Sequence, residues 1–476
     1  MTDPKLLLLL KSLSKDEIKS LDKFIQSPFF NTNSKLLELF SYLKSKYPEF
    51  NHVCLDKKNI FSMLFPGKPF SDLRTRQYLS SLTVLVEQFI TICRIQKDTT
   101  TRQFALLEEM LSRDSEKYFN HTLSHVAQNG RDAYQNGEFY RNQFRLEEIR
   151  SRFIATSAQR QNRFIAQPDF SKTLHHLDTF YLIYKLKYCC EMLNFKTIGA
   201  LEKETILLDE ILDLLRKKDY SDTPAVNIYH KILLTLTEPD NEENFERLLQ
   251  TLKSNDHLFP QSETREIYIY AQNFCIRQIN KGKTRFLNEI LDIYQILLER
   301  EIILEKGVLS PWDYKNIVVT ALRLNEFQWT ENFINDYKKK LPEHERENAY
   351  TYNLAKFYFY KKDYSNVLKL LQEVEYNDVF YSLDSKAMLL KTYYELNEVD
   401  SLDSLMDSFK IYLQRNKALS EHHVKTYKNL LRITHRLTRI IPKDKKRIEL
   451  LEAEIEQTKP LADIGWLREK MEELKG

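Results

Sequence analysis

Apolar residues recur at intervals of three and four along nearly the whole chain, which is the spacing of one face of an α-helix. Ser14 and Glu17 form the capping-box pattern that begins such a helix. The apolar positions that follow are Ile18, Leu21, Phe24 and Ile25. The same spacing fills a longer stretch from Ser71 to about Ile95, and no strand is needed to explain it. The pattern therefore predicts an all-α protein.

Other helices are predicted from Ser34 to Tyr47, after Asp56, and from Ser310, where Ser, Pro and Asp stand in the order of a helix start. A break is predicted at 168–170. We divide the chain into four segments: a compact helical N-terminal unit at 1–100, an Arg-rich helical connector at 101–168, a series of helical hairpins at 169–420, and a helical cap, first basic and then acidic, at 421–476.

Glycine and proline are scarce, with 8 and 13 residues in a chain of 476. Sheets, tight hairpins and nucleotide-binding loops depend on these residues for their turns, so their scarcity also favours helices. Apolar residues make up 42% of the chain, which is enough for a sizeable core and excludes wholesale disorder. The net charge is only +3, whereas a protein that coats nucleic acid usually has a large basic surplus.

The sequence carries no predicted signal for export or membrane insertion. Its longest aliphatic run, Leu6 to Leu10, is far shorter than the about 20 residues of a membrane span. The N terminus lacks the basic start of a secretory signal. The cysteines are odd in number and form no C-x-x-C pair: Cys54, Cys93, Cys189, Cys190 and Cys275. These features predict a cytoplasmic protein with reduced thiols and no zinc site.

An internal repeat covers about 310–415. In its middle copy the small residue Ala355 follows Leu354, and Tyr358 comes three residues later. The packing positions of this copy are Tyr358, Tyr364, Val367, Leu371 and Val374. The pattern returns about 35 residues further on at Leu389, Tyr393, Leu396, Val399, Leu402, Met406 and Phe409. An upstream copy has Ile317, Ala321, Leu324, Phe327, Thr330, Ile334 and Tyr337, followed by Pro342.

These copies resemble the tetratricopeptide repeat (TPR), in which a small residue lets the two helices of a pair cross closely. The resemblance implies an elongated, TPR-like α-solenoid of stacked helical hairpins, because each hairpin has an apolar stripe that only its neighbours can bury. The copies depart from the family where Leu390 replaces the small residue, and where Asn325, Lys362 and Asn397 replace the turn glycines. We interpret two upstream segments as degenerate hairpins of the same solenoid, Leu174–Leu215 and Tyr268–Ile296. A non-repeating helical bundle is the alternative.

The repeat template places one set of residues on the inner helices, off the packing face, where they would line a groove. Its members are Lys315, Asn316, Arg323, Tyr352, Asn353, Lys356, Tyr360, Lys391 and Tyr394. Such side chains can bond an extended peptide and hold an acidic side chain or a C terminus. Lys and Asn form carboxylate clamps at such places in the family, so the resemblance implies a peptide groove, although the full clamp pattern is absent. The alternative is that these are ordinary solvated residues.

A second set of cations, the basic stripe, follows the repeats. It consists of Lys425, Lys428, Arg432, Arg436 and Arg439, which recur at intervals of three and four. Such a stripe could bind phosphates or an acidic partner. The acidic residues Glu449, Glu452, Glu454 and Glu456 follow closely, and the alternative is that the two helices pair with each other.

A nucleic-acid-linked regulator, with a DNA-contacting N-terminal unit and a TPR-like sensor, is the alternative function. Residues 56–66, together with Arg74 and Arg76, resemble winged-helix activators that precede repeat domains. A recognition helix exposes several Arg, Lys, Asn or Gln side chains to the bases. The stretch from Leu82 to Ile92 is instead mostly apolar and is typical of a core helix.

No enzyme motif stands in the sequence. His121 and His125 are four residues apart on a predicted helix, but the glutamate of the zinc protease motif is missing between them. Eight scattered glycines form no phosphate loop and no dinucleotide fingerprint. We therefore expect no catalytic residue, metal or cofactor. The sequence predicts a non-catalytic scaffold that binds a peptide or a helix of a partner protein.

Overall fold

The computed structural model describes residues 4–50, 56–113, 115–129, 134–161, 170–197, 207–372 and 379–476. Across these residues the chain forms 23 α-helices and no β-strand, so the all-α prediction is confirmed. The chain divides into two compact units, Met1–Tyr184 and Lys185–Gly476. The finer division into four segments stays a prediction. Cys54, Val374 and most of the break at 168–170 lie outside the described residues.

The first unit contains eight complete helices and the start of a ninth that continues into the second unit. They are α1 (Pro4–Ser12), α2 (Lys15–Gln26), α3 (Ser34–Lys44), α4 (Lys57–Leu64), α5 (Asp72–Lys97), α6 (Thr99–Ser112), α7 (Glu116–Asn129), α8 (Gly137–Gln161) and α9 (Ser171–Thr197). The capping box is confirmed, because the Ser14 side chain accepts from the Glu17 N–H while the Glu17 carboxylate accepts from the Ser14 N–H at 2.9 Å. α3 ends at Lys44, with Ser45 as its C-cap, rather than at Tyr47, where the following Pro48 disfavours helical backbone.

Helix α5 runs through the apolar core of the N-terminal helices. Its Leu79, Leu82 and Val86 are buried, and it packs on α1, α2 and α3. By length and composition alone, α5 would suit a membrane span, a test that core helices of soluble proteins also pass. Its burial explains why the apolar stretch from Leu82 to Ile92 exposes few polar groups that a DNA-reading helix would need.

The second unit contains the rest of α9 and fourteen further helices. They are α10 (Leu208–Lys217), α11 (Pro224–Thr237), α12 (Glu242–Asn255), α13 (Gln261–Asn280), α14 (Phe286–Glu299), α15 (Pro311–Arg323), α16 (Phe327–Tyr337), α17 (Arg346–Tyr360), α18 (Tyr364–Leu371), α19 (Val379–Glu395), α20 (Val399–Arg415), α21 (Glu421–Leu437), α22 (Lys445–Gln457) and α23 (Ile464–Lys475).

Three successive helix pairs occupy the region of the predicted repeat. α15 packs on α16, α17 on α18, and α19 on α20. The first helices of the pairs, which we call the inner helices, also pack on each other, α15 on α17 and α17 on α19. Ala321 and Ala355 are fully buried, as expected for small residues at close helix crossings. The packing is that of stacked helices.

The three pairs close with the same turn. Asn325, Lys362 and Asn397 have left-handed φ angles of 60°, 61° and 58°. In each turn the N–H of the left-handed residue donates to the carbonyl of the residue three positions before it. The N–H of the following residue donates to the carbonyl five positions before its own. In the first turn these bonds run from Asn325 to Leu322 and from Glu326 to Ala321, and all six lie between 2.9 and 3.1 Å. These two bonds define the Schellman motif at the end of a helix. The three residues that stand in place of turn glycines therefore adopt the backbone that glycine favours.

The last helices share a core of their own. Leu390 of α19, Leu431 of α21, Ile448 of α22 and Leu467 of α23 are buried in one apolar cluster. This apolar cluster fixes α23 beside the third helix pair and places the loop before α23 next to the inner helices.

The predicted start of α15 is also observed, because Ser310 caps this helix by accepting from the Trp312 N–H.

Candidate functional site

A cleft of about 620 Å³ opens along the inner helices α15, α17 and α19. Four of the predicted groove residues line it: Arg323, Lys356, Tyr360 and Lys391. The other wall is built by the loop after α22 and by α23, and it includes Asp463, Trp466 and Glu469. The fold thus brings predicted groove residues from three successive helix pairs into one cleft.

An ion pair joins the two walls of the cleft. Lys391 Nζ lies 2.6 Å from Asp463 Oδ1, and the lysine side chain is only 6% exposed. Asp463 has a left-handed φ of 50° and directly precedes α23. Burial opposes ionisation of this carboxyl, but the ammonium groups of Lys391 and Lys356 outweigh it and hold the pKa of Asp463 below its ordinary value. The clamp position predicted for Lys391 is therefore filled by a carboxylate of the same chain.

A second polar contact anchors α23 beside the cleft. Trp466 Nε1 donates to Glu395 Oε1 at 2.7 Å, and its ring meets Tyr394 edge-on at 5.3 Å between centroids. Lys470 is almost fully buried and lies 2.9 Å from Glu395. Burial opposes the charge of Lys470, but hydrogen bonds to Glu473 and Glu395 raise the pKa of the ammonium group above its ordinary value. The charges of the acidic residues that line the cleft near α23 are thus largely neutralised by cations of the same chain.

Two cations on the opposite wall remain open. Among the described residues, neither Arg323 nor Lys356 has an acidic partner within 4.0 Å. Arg323 is exposed and Lys356 is half-buried, and both face the same cleft as Tyr360. Burial raises the pKa of the Tyr360 phenol, so its hydroxyl stays a neutral hydrogen-bond donor. Two cations and a hydroxyl can bind an anionic group such as a carboxylate.

Two predicted groove residues are wrong as groove positions. Tyr352 and Asn353 are fully buried. α17 packs on α15, α16, α18 and α19, so more of its circumference is covered than a single buried stripe would require. Asn353 Nδ2 donates to the Ala349 carbonyl within the helix, at 2.8 Å. Both side chains belong to the helix packing rather than to an open surface.

The remaining groove residues lie elsewhere. Lys315 pairs with Asp384 of α19, and its ammonium group lies 5.1 Å from the ring centroids of Trp312 and Tyr381. Asn316 is exposed outside the cleft. Tyr394 lines a different cleft, of about 390 Å³, near the turn at Asn397. Lys315 is thus a structural cation whose charge is engaged by a carboxylate and by aromatic rings of the same chain.

The basic stripe is partly neutralised by the acidic helix that follows it. Arg432 and Arg436 of α21 both pair with Glu454 of α22, which confirms intramolecular pairing for these two residues. Glu452 and Glu456 pair instead with Lys475 and Arg468 of α23. In the part of the chain that the structure describes, Lys425, Lys428 and Arg439 have no acidic partner within 4.0 Å.

The two arginines of the N-terminal unit that were candidates for DNA contact are each engaged by a side chain of the same unit. Arg76 pairs with Asp72 on its own helix at 2.5 Å, and Arg74 lies over the Phe65 ring at 5.4 Å.

Within the described ranges, no group of three His, Cys, Asp or Glu residues could hold a metal ion. Burial raises the pKa of the thiols of Cys189 and Cys190.

No family model, curated protein or solved structure matches this chain.

Sequence reasoning missed the residues of the second wall. Asp463 is 72 positions from Lys391, and the segment between α22 and α23 has no helical periodicity that would place it. The available signal was weak: an aspartate just before the apolar spacing of a final helix, in the place of a helix cap. A cap position predicts the start of a helix but not which distant lysine its carboxylate meets.

Proposed function

We propose that the chain is a non-catalytic interaction module that binds an acidic segment of a partner protein in the cleft of the inner helices. The observation that supports this proposal most directly is that Arg323 and Lys356, from the adjacent inner helices α15 and α17, face one cleft, and neither has an acidic partner within 4.0 Å among the described residues. An acidic side chain or a C-terminal carboxylate would complete these charges.

The proposal includes a TPR-like organisation of the three helix pairs. Support comes from the buried alanines at the close crossings, from the shared Schellman turns, and from inner helices that pack side by side. Stacked hairpins of this kind leave one surface of the inner helices open, and such surfaces bind extended segments or helices.

The test selects peptides from a random displayed library on the full chain and measures their affinity by fluorescence anisotropy. We expect acidic peptides to be enriched. The R323E/K356E double variant should weaken their binding by about tenfold or more, because attraction becomes repulsion. K425E/K428E is the matched control, since it reverses two exposed cations on α21, outside the cleft. Selection without acidic enrichment, or equal affinity for both double variants, would contradict the proposal.

A nucleic-acid-linked role has less support. Arg432 and Arg436 of the stripe are already paired, and the candidate recognition stretch is a core helix. Titration of the same protein with a generic DNA duplex at low salt separates the two functions. Binding that falls steeply with salt would favour the nucleic-acid role.

A further inference from the structure

The segment 459–465, which links α22 to α23 and includes the first two residues of α23, lies along the inner surface of the helix pairs. Asn429 Nδ2 of α21 donates to the Pro460 carbonyl at 2.8 Å. Further along, Asp463 pairs with Lys391 of α19, and Ile464 and Gly465 line the cleft. The segment therefore occupies part of the surface on which a partner would bind.

The position of Asp463 is that of a ligand carboxylate. Lys356 and Lys391 belong to the row of side chains that the repeat template assigns to the groove, and Asp463 lies within the field of both. Its carboxylate meets a lysine of α19 whose side chain has little access to water. An acidic residue of a partner would meet the same ammonium group in the same way.

The segment is less deeply packed than the helix behind it. Residues 460–464 are half-buried, and Leu461, Ala462 and Ile464 pack on the edge of the apolar core, whereas Trp466, Leu467 and Met471 of α23 are buried within it. Exchange of the segment therefore detaches three side chains from the edge of the core and leaves the buried residues of α23 in place. The left-handed backbone of Asp463 is a conformation that an aspartate tolerates but does not favour. If another carboxylate replaces that of Asp463, Lys391 keeps a counter-charge and no buried ion is left unpaired.

We infer that the segment 459–465 is an internal ligand of the cleft, and that a partner segment with a carboxylate in a turn exchanges with it. This inference rests on the proposed function. The partner segment must therefore carry two anionic groups. One is a carboxylate that replaces Asp463 as the partner of Lys391, and the other reaches Arg323 and Lys356. The internal ligand lowers the affinity of the cleft for weakly matching segments, because it competes at high effective concentration.

The test uses a fluorescein-labelled peptide with the sequence of residues 458–467, added to the full chain. We expect the D463N and D463G variants to bind this peptide about tenfold more tightly than the unmodified protein. Both substitutions remove the carboxylate and keep a residue type that accepts left-handed backbone. The same peptide with Asn in place of its aspartate should not bind. D444N is the matched control, since Asp444 caps α22 in the same region but lies outside the cleft.

The outcomes separate this inference from the proposed function. Equal affinity of the unmodified protein and the two Asp463 variants, all folded by circular dichroism, would overturn the internal ligand, as would no binding to any of them. If acidic peptides from the library bind the unmodified protein and D463G equally, the proposed function stands and the internal ligand fails. If they bind neither protein, the proposed function fails. Amide exchange adds a further readout: binding of an acidic peptide from the library to the unmodified protein should increase exchange in 459–465 and leave 466–475 unchanged.

Discussion

The chain carries two sets of cations, one contributed by successive inner helices around the cleft and one along the single helix α21, and the members that form ion pairs do so in different ways. In the cleft, Lys391 is nearly inaccessible to water and meets one carboxylate from a distant part of the chain. On α21, Arg432 and Arg436 are about half exposed and share one carboxylate from the next helix. Ion pairs that are withdrawn from water matter more when one partner is lost, because the other is left as an uncompensated charge.

The largest effect is expected from Lys391→Met. This change leaves Asp463 without its nearest counter-charge, and we expect a loss of about 2 kcal/mol in the free energy of unfolding. The value lies below that of a fully buried pair because Asp463 is 30% exposed and Lys356 remains nearby. Denaturant midpoints of the full chain measure it, with Arg432→Met as the control. A smaller loss for Lys391→Met than for Arg432→Met would reverse the comparison.

Acid should weaken the same ion pair without a mutation. The folded pKa of Asp463 lies below its ordinary value, so its contribution to stability is complete above the unfolded pKa of about 4 and is lost as the pH falls through the folded pKa. Between about pH 5 and pH 3, the unmodified protein should therefore lose more stability than D463N. Denaturation at both pH values checks this. Equal losses of stability in the unmodified protein and in D463N would show that Lys391 and Lys356 do not stabilise the ionised form of Asp463.

A smaller effect is expected on α21. Glu454→Gln removes the shared partner of Arg432 and Arg436, and the cost should be about 0.5 to 1 kcal/mol, because the arginines stay hydrated. The effect should largely vanish at about 1 M salt, where exposed charges are screened within a few ångströms. The effect of Lys391→Met should persist there. Equal salt sensitivity of the two variants would remove the distinction between the sites.

The smallest effect concerns a cation whose place depends on the backbone. Lys362 lies at the rim of the cleft, 3.5 Å from Glu469, but it also occupies the left-handed turn position between α17 and α18. Lys362→Gly should stabilise the chain by about 0.5 kcal/mol, since the relief of left-handed strain exceeds the loss of an exposed ion pair. Thermal unfolding measures the shift. A destabilised variant would mean that the charge of Lys362 outweighs its backbone role.

Much of the fold could be predicted from local patterns. The apolar spacing after Ser14 and the cap at Ser310 were sufficient because the interactions that define a helix lie within a few residues of each other. The gathering of Arg323, Lys356 and Lys391 in one cleft also followed a spacing rule, that of successive inner helices.

Burial and long-range pairing were harder to predict. The repeat template predicts a groove position for Tyr352 because it allows one buried stripe per helix, whereas α17 is covered by four other helices and Tyr352 is fully buried. Asp463 was missed because its contact with Lys391 depends on the path of a loop, and loop paths leave no periodic trace in the sequence. Local rules therefore identified one wall of the cleft, and only the folded chain supplied the other.

The shared turn of the three helix pairs bears on how such a protein can change over time. At Asn325, Lys362 and Asn397 the closing bonds run from backbone to backbone, so the turn places almost no demand on side-chain identity beyond a tolerance for positive φ. Substitutions that respect this tolerance can accumulate at these positions while the helices keep their spacing. Descendants of such a chain could keep the architecture long after their sequences had ceased to resemble one another.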